Sequence, residues 1–302
     1  MSTQNFLNSK FSVQFSILIG RYLPKRTGHW FVLKLAGLIG SFKNLEINRN
    51  IRVNQYIANG EVSTKGELTR LSKAVLYHAG QCYYDLYHYI DKEEQLEELV
   101  PLTAPMREFI RLSQTKRGYL VVAPHLSNFD LVVSRLVSEG FRGKVLSYAN
   151  PGSGYQLQND IRASYGLDLT PLSDPDAGPK TIDFLKKGGV AATAVDRPVP
   201  DRKKRHYVKF FGRPSPVPVG YITTALAADV PILPVTAIME ENGNYGFRVA
   251  EPIELQKYHD KMDTLFLNAE RVLLKIEEFI KLAPSQWLMY YPVWPDLLGE
   301  EL

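Results

Sequence analysis

The sequence predicts an α/β protein with a mainly parallel seven-stranded sheet flanked by helices and a helical N-terminal layer. Two observations support this prediction. Residues 1–115 place apolar side chains at helical spacing, as between Leu71 and Leu86, with no strand-like alternation. From residue 118 onward, short apolar runs alternate with helical or loop segments, which is typical of a parallel sheet with helices on its faces.

The predicted strands follow the apolar runs, and the predicted helices lie between them. Strands are expected at residues 119–123, 144–149, 168–172, 190–195, 207–211, 232–239 and 245–250. Helices are expected at residues 129–138, 157–165, 180–187, 219–228 and 261–282. The dipeptide Asn242-Gly243 between the last two strands is a strong hairpin signal, so this end of the sheet is expected to be antiparallel.

Composition narrows the class of protein. The chain has 302 residues, of which 45% are hydrophobic and 23% charged, which is ordinary for a globular protein of one or two domains. The net charge of +4 does not by itself indicate a nucleic-acid partner, and none is expected. Cys82 is the single cysteine, so no disulfide forms within the chain and a reducing compartment is expected, with Cys82 in the core.

The N-terminal region is strongly basic. Residues 1–60 contain eight lysines and arginines but one acid, Glu46. Two apolar stretches, residues 11–20 and 30–42, are both shorter than the roughly 20 residues of a membrane span, and neither precedes a signal-peptide cleavage site. Two readings stay open: an anchor lying in the membrane interface, or ordinary core helices with basic surface ends.

His125 and Asp130 form the most informative motif. They lie between a predicted strand, residues 119–123, and a predicted helix, residues 129–138. Histidine is the usual general base at neutral pH, and a carboxylate can fix its tautomer, so the two residues are a candidate proton-transfer pair. The alternative is a helix N-terminus capped by Ser127, Asn128 or Asp130. Exposed N–H groups at such a junction also bind anions or an oxyanion.

Three further segments carry polar or rigid elements. Asp196 and Arg197 follow a predicted strand, so in a parallel sheet they lie at the same edge as His125 and can reach a polar substrate. The alternative is that the two residues form a surface ion pair. Residues 202–206 are basic and precede a turn rich in proline and glycine, which suits phosphate or anionic lipid headgroups but equally a solvated loop. Residues 284–295 combine aromatics and prolines, typical of a segment tied onto the body or of a membrane interface.

Several other chemistries lack their motifs in this sequence. There is no nucleophile elbow and no phosphate-binding loop with the Walker A pattern. No group of histidines and cysteines has metal-ligand spacing, so no metal is expected.

The ordered set of motifs resembles the lysophospholipid acyltransferase superfamily. In particular it resembles the bacterial lipid A biosynthesis (late) acyltransferases and the related phosphatidylinositol mannoside acyltransferases. The motifs that carry the resemblance are Ile19-Gly-Arg-Tyr-Leu-Pro24, His125-x4-Asp130, Arg162-x3-Gly166, Asp196, Phe210-Phe-Gly212 with Pro218 and Gly220, and Ser285-Gln-Trp287. The resemblance implies a glycerolipid acyltransferase-like fold, with a membrane-associating helical region at 1–115 and an α/β acyltransferase core at 116–302.

The resemblance also implies a reaction. His125 would take the proton from an acceptor hydroxyl, and Asp130 would orient the imidazole, while the hydroxyl attacks the thioester of acyl-CoA or an acyl carrier protein. The oxyanion donors would be backbone N–H groups near Phe211 and Gly212 or near Ser127 and Asn128. The implied substrate-binding residues are Asn128, Arg162, Asp196, Arg197, Phe211 and Gly212. No cofactor is implied beyond the acyl donor.

The implied setting is an anionic membrane surface, reached peripherally from the cytoplasmic face of the inner membrane, with a glycolipid or lysophospholipid as acceptor. The sequence departs from the lipid A enzymes after Trp287, where Tyr290-Tyr-Pro-Val-Trp294 replaces a His-Arg-Arg run, and after Asp196, where Arg197-Pro-Val-Pro200 replaces an Asp-Tyr-Gly-like turn. These departures question lipid A itself as the acceptor. Two alternatives remain: a non-catalytic lipid-binding protein on the same fold, and a thioesterase-like hydrolase.

Overall fold

The computed structural model describes residues 10–61, 64–147, 153–200 and 206–299 of the chain. Its N-terminal part is helical. The helices are α1 (Lys10–Tyr22), α2 (Lys25–Ser41), α3 (Glu46–Ala58), α4 (Lys65–Tyr89), α5 (Glu93–Leu99) and α6 (Ala104–Ser113). The longest, α4, begins where the hydroxyl of Thr64 accepts the backbone N–H of Glu67 at 3.2 Å, a typical N-cap.

Strands and helices alternate in the rest of the chain. The elements are β1 (Tyr119–Ala123), α7 (Phe129–Ser138), β2 (Lys144–Ser147), α8 (Ser153–Ser164), β3 (Asp168–Pro171), α9 (Ala177–Lys186), β4 (Val190–Ala194), β5 (Val208–Phe210), β6 (Arg213–Ser215), α10 (Gly220–Ala228), β7 (Ile232–Met239), β8 (Tyr245–Val249) and α11 (Lys261–Leu282). Short 3-10 helices follow at Pro284–Gln286 and Pro295–Gly299.

The main sheet has six strands in the order β3-β2-β4-β1-β7-β8. The first five are parallel and β8 is antiparallel to β7, as the Asn242-Gly243 hairpin predicts. Strand β1 lies between β4 and β7, and Ala123 is in register with Ala194. The segments that leave β1 and β4 therefore meet at one edge of the sheet, which is where such sheets place their sites.

The prediction of seven strands in one sheet is wrong by one strand. The segment expected at residues 207–211 forms β5, which pairs with β6 in a separate two-stranded sheet. The reason is the turn between them: Phe211 and Gly212 have φ values of 51° and 72°. Positive φ at both central residues makes a tight hairpin that reverses the chain at once, so β5 pairs locally.

The N-terminal helices share hydrophobic cores with the sheet. Val53 and Ile57 of α3 pack in one cluster with Leu120 of β1 and Ile232 of β7. Cys82 of α4 packs in a second cluster on the other side of β1, and its burial confirms the prediction that it is a core residue. These helices therefore help to fix the position of β1, the strand that precedes His125.

Candidate active site

His125 lies beside Asp196 because of the strand register. Each residue is two positions beyond the paired residues Ala123 and Ala194, at the carboxyl ends of neighbouring parallel strands. Nδ1 of His125 hydrogen-bonds Oδ1 of Asp196 at 2.6 Å, and the backbone N–H of His125 donates to Oδ2 at 2.8 Å. The sheet thus brings together two predicted site residues that are 71 positions apart.

The Asp196 carboxylate is fully buried and well supplied with hydrogen-bond donors. Besides the two bonds from His125, the indole N–H of Trp287 donates to Oδ2 at 2.7 Å. Burial alone raises the pKa of Asp196, but the charge of His125 and the bonds from His125 and Trp287 outweigh it, so the pKa lies below its usual value. Asp196 is therefore an anion at neutral pH, held against one side of the imidazole.

Trp287 belongs to a C-terminal segment, residues 284–294, that pairs with the histidine loop, residues 124–128. The N–H of Leu288 donates to the carbonyl of His125 at 2.8 Å, and the N–H of Ser127 donates to the carbonyl of Gln286 at 3.0 Å. Leu126 and Trp287 form the antiparallel bridge between these two bonds. The segment fixes the backbone of His125 and also delivers the indole to Asp196.

In the described part of the chain the imidazole of His125 hydrogen-bonds Asp196, so the expected orienting hydrogen bond from Asp130 is not made. The Asp130 carboxylate accepts two hydrogen bonds from Arg162, at 2.7 Å from Nε and 3.0 Å from a terminal nitrogen. Asp130 lies in the first turn of α7, facing α8, which carries Arg162. The remaining terminal nitrogen of Arg162 donates to Asn159 at 3.1 Å. The pair thus joins α7 to α8. Arg162 is predicted to bind substrate, and its guanidinium is already bonded to Asp130.

Asn128 caps α7 rather than facing an open site. Its side-chain oxygen accepts the N–H of Leu131 at 3.4 Å, and its amide group donates to the carbonyl of Cys82 at 2.9 Å. Asn128 is 4% exposed. Both polar atoms of the side chain are thus engaged in holding α7 against α4, and the role of Asn128 in substrate binding stays a prediction.

Ser127 is anchored in the same way. It has a φ of 53°, uncommon for a residue other than glycine, and its hydroxyl lies 3.1 Å from Nε2 of the buried His78. Its backbone N–H is already bonded to Gln286, so it is not a free oxyanion donor. The contact between Ser127 and His78 ties the histidine loop to the middle of α4.

Phe211 and Gly212 form the turn of the β5–β6 hairpin. The N–H of Phe211 donates to Glu277 of α11 at 2.6 Å, so this amide is not available to an oxyanion either. The ring of Phe211 stacks on Trp287, with centroids 6.2 Å apart and planes 26° from parallel. Phe210 and Trp294 complete this aromatic cluster. The hairpin therefore supports the indole that contacts Asp196.

Arg197 leaves the sheet edge directly after Asp196. Its guanidinium lies over the ring of Tyr291, 3.9 Å from the centroid, which is a cation–π contact. Residues 202–205 of the predicted basic loop lie outside the described residues. The guanidinium of Arg197 is therefore placed beside the C-terminal segment, at the same edge as His125.

Trp287 is a site residue that the sequence patterns do not predict. The signal was present in Ser285-Gln-Trp287, which contributes to the family resemblance. Its function is visible only once the C-terminal segment pairs with the histidine loop. Gln286 also has a structural task, because its side-chain amide makes two hydrogen bonds of 2.8 Å with the backbone of Met239 at the end of β7.

The arrangement suits proton transfer. With Nδ1 committed to Asp196, Nε2 is the ring nitrogen of His125 that can take up a proton. The side chain of His125 is 31% exposed while that of Asp196 is 0% exposed. The imidazole is thus accessible from outside the protein, whereas the carboxylate beside it is shielded from water.

Comparison with known proteins assigns the family. The profile of the family described as bacterial lipid A biosynthesis acyltransferase matches residues 104–295, which is more than half of the chain and includes every site residue named above on the sheet edge. The chain is also 28% identical over 186 residues to the phosphatidylinositol mannoside acyltransferase of Mycobacterium tuberculosis, in strains CDC 1551 / Oshkosh and H37Rv. This similarity covers 61% of the chain and 56% of each relative, so the chain spans little more than half the length of the curated relatives it matches. The protein belongs to the bacterial lipid A biosynthesis acyltransferase family.

Proposed function

We propose that the protein is an O-acyltransferase that moves a fatty acyl chain from a thioester donor to a hydroxyl group of a glycolipid or lysophospholipid. The observation that carries the proposal is the hydrogen bond between Nδ1 of His125 and the buried carboxylate of Asp196. This contact leaves Nε2 to act as the general base. Membership of an acyltransferase family supports the reaction class.

In the proposed reaction, Nε2 of His125 takes the proton of the acceptor hydroxyl while the hydroxyl oxygen attacks the thioester carbonyl carbon. A C–O bond forms, and the tetrahedral intermediate then collapses with loss of the C–S bond. The leaving thiolate recovers the proton from His125. Asp196 stabilises the imidazolium between the two steps. In this proposal the orienting carboxylate is Asp196, and not Asp130 as the sequence predicts.

Acyl-CoA and an acyl carrier protein are both suitable donors in this scheme, and no cofactor is needed besides the donor. We favour a glycolipid as the acceptor, because the mycobacterial relatives are named for a mannosylated phosphatidylinositol. Arg197 suits a phosphate of the headgroup or of the donor, since its cation lies beside the site.

The exposed side chains of the N-terminal helices are the evidence for a proposed docking of the protein to a membrane surface. Large apolar side chains are exposed along one side of α1 and α2: Phe11, Phe15, Leu18, Tyr22, Trp30, Leu33 and Leu38, followed by Phe42. Their exposure is not a sign of loose packing. A Cβ atom at Gly28 of α2 would overlap the ring of Tyr84, so α2 lies close against α4. Asp85 of α4 also accepts a hydrogen bond from His29 at 2.9 Å.

Firmly packed helices with outward apolar residues and exposed cations such as Arg26, Lys34 and Lys43 are typical of an interfacial anchor on an anionic membrane. Among the helices in the described part of the chain, none has both the length and the apolar character needed to cross a membrane. We therefore propose peripheral docking through α1 and α2, at the cytoplasmic face of the inner membrane.

The proposed function is tested with radiolabelled acyl-CoA, or acyl carrier protein carrying the same chain, in the presence and absence of glycolipid and lysophospholipid acceptors. Label is expected in the acceptor lipid, and His125→Ala is expected to abolish transfer while circular dichroism and the melting temperature stay close to wild type. Release of free fatty acid alone would indicate a thioesterase. Lipid binding without turnover would indicate a non-catalytic protein, and full transfer by His125→Ala would overturn the mechanism.

A further inference from the structure

The C-terminal segment that completes the site is itself held by α3, an element far from it in sequence. Asn54 of α3 donates from its side-chain amide to the carbonyls of Met289 and Tyr291, at 3.0 and 2.8 Å. Its side-chain oxygen accepts the N–H of Val293 at 3.1 Å. Asn54 is 1% exposed, so these three backbone groups have their partner inside the protein.

Two neighbouring amides extend the contact. Asn50 donates to the carbonyl of Tyr290 at 2.8 Å, and Gln55 donates to the carbonyl of Pro284 at 2.8 Å. Asn50 and Asn54 lie four positions apart on one face of α3, and Gln55 directly follows Asn54. The helix thus carries three buried amides that all bond the backbone of the C-terminal segment, which makes the contact a specific attachment and not a general packing surface.

The C-terminal segment contacts both His125 and Asp196. Its backbone bonds to the carbonyl of His125 and to Ser127, and its Trp287 donates to Asp196 at 2.7 Å. Asn54 is therefore linked to the His125–Asp196 pair through the C-terminal segment, which it bonds at residues 289–293 and which bonds the site at residues 286–288. A shift of the segment moves the indole away from Asp196 and loosens the loop that carries His125.

We propose that Asn54 is a positioning residue for acyl transfer, which acts by holding the C-terminal segment in register with the histidine loop. The inference rests on the proposed function of the His125–Asp196 pair. Asn54 has no part in binding the reacting groups, so its loss lowers the rate of the chemical step and leaves substrate affinity nearly unchanged.

The chain offers a matched control in Asn48. It is another 1% exposed asparagine of α3, and it too donates to two backbone carbonyls, those of Ile39 and Phe42, at 2.7 and 2.9 Å. These bonds hold the end of α2 and do not involve the C-terminal segment. Asn48→Leu and Asn54→Leu thus remove comparable buried contacts from the same helix, and they differ in which segment is released.

The test measures kcat, KM and the melting temperature of both variants, together with amide hydrogen exchange of peptides that cover residues 125–128 and 286–293. Asn54→Leu is expected to lower kcat at least tenfold with KM within twofold of wild type, and to speed exchange in both peptides. Asn48→Leu is expected to leave kcat and exchange in both peptides at wild-type levels, whatever its melting temperature. Equal losses of kcat in the two variants, or unchanged exchange in Asn54→Leu, would overturn the proposal.

Asn50→Leu is the milder second variant should Asn54→Leu fail to fold. It removes a single bond to the segment, so a two- to threefold lower kcat and faster exchange at residues 286–293 are expected; wild-type values of both would overturn the proposal. Hydrogen exchange needs no turnover, so it tests this attachment even if the wild-type protein transfers no acyl chain. Absence of transfer by the wild type counts against the proposed function alone.

Discussion

Asp196 holds His125 at two points, accepting its backbone N–H at 2.8 Å and hydrogen-bonding its Nδ1 at 2.6 Å. A carboxylate that bonds both the main chain and the ring fixes the orientation of the imidazole as well as its tautomer. The rigid β1–β4 register sets this contact, since both residues follow paired strand ends. The orienting group of the site is thus a neighbouring strand's residue and not the nearby Asp130.

Asp196→Asn is expected to lower kcat by about 10²- to 10⁴-fold, the range associated with general acid–base catalysis. The amide is nearly the same shape, but its NH₂ group can face Nδ1 and favour the tautomer with the proton on Nε2, which cannot act as a base. Steady-state kinetics with a saturating acyl donor measure the effect.

Asp130→Asn is the control for this prediction. It weakens the ion pair with Arg162 and should reduce stability, because a mostly buried guanidinium loses its charged partner. Its kcat per folded molecule should stay within about tenfold of wild type. A larger loss of kcat in Asp130→Asn than in Asp196→Asn would contradict the assignment of the orienting carboxylate.

Leu38→Gln is expected to weaken binding to vesicles that contain an anionic phospholipid. Removing one apolar side chain from the proposed docking face should lose about 1 kcal/mol, or roughly fivefold in affinity. Leu274→Gln is a matched control, because Leu38 and Leu274 are both 59% exposed and Leu274 lies on α11. Co-sedimentation at two salt concentrations measures both variants, and equal weakening by the two would count against docking through α1 and α2.

His78 should make the protein less stable in mild acid. Burial lowers the pKa of His78 from 6.5 to about 4, while nearby Asp85 opposes the shift only in part. The unfolded chain therefore binds a proton between pH 6.5 and about 4 that the folded protein does not. The stability contribution is complete above pH 6.5 and is lost as the pH falls towards 4, by up to roughly 3 kcal/mol at about 1.4 kcal/mol per pKa unit.

His78→Gln removes this titration and keeps a polar group that can bond Ser127. Urea unfolding of the wild type and the variant at pH 7.0, 6.0 and 5.0 should show that the wild type loses more of its free energy of unfolding as the pH falls. Parallel pH profiles for the two proteins would indicate that other groups dominate this pH range.

Much of the fold follows from local patterns in the sequence. The predicted bounds of β1, α7, β7 and α11 agree with the structure, because each has a continuous apolar or helical pattern between clear breaks. The strand predicted at residues 207–211 lies outside the main sheet because a strand pattern does not indicate which neighbouring strand will pair with it. The deciding feature was a bulky residue, Phe211, at positive φ, a conformation that is usually expected of glycine.

The site was harder to predict for a related reason. Proximity in sequence favours a pair of Asp130 with His125, but five residues across a strand–helix junction can separate side chains. The Asp130 carboxylate lies on the side of α7 that meets Arg162. The strand that precedes Asp196 predicts its position at the same sheet edge as His125, but no local pattern gives the strand order that makes the two direct neighbours. The position of Trp287 depends on a contact with the histidine loop, far earlier in the chain, and the spacing of residues in a sequence does not predict such contacts.

The pairing of the C-terminal segment with the histidine loop also sets the order in which the site is built during translation. Val293 emerges from the ribosome 239 residues after Asn54, and Trp287 emerges 91 residues after Asp196. A nascent chain that has already released α3, β1 and β4 still lacks the indole and the backbone partners of the histidine loop. The proposed docking helices α1 and α2 are therefore synthesised long before the His125–Asp196 pair gains its indole and its backbone partners.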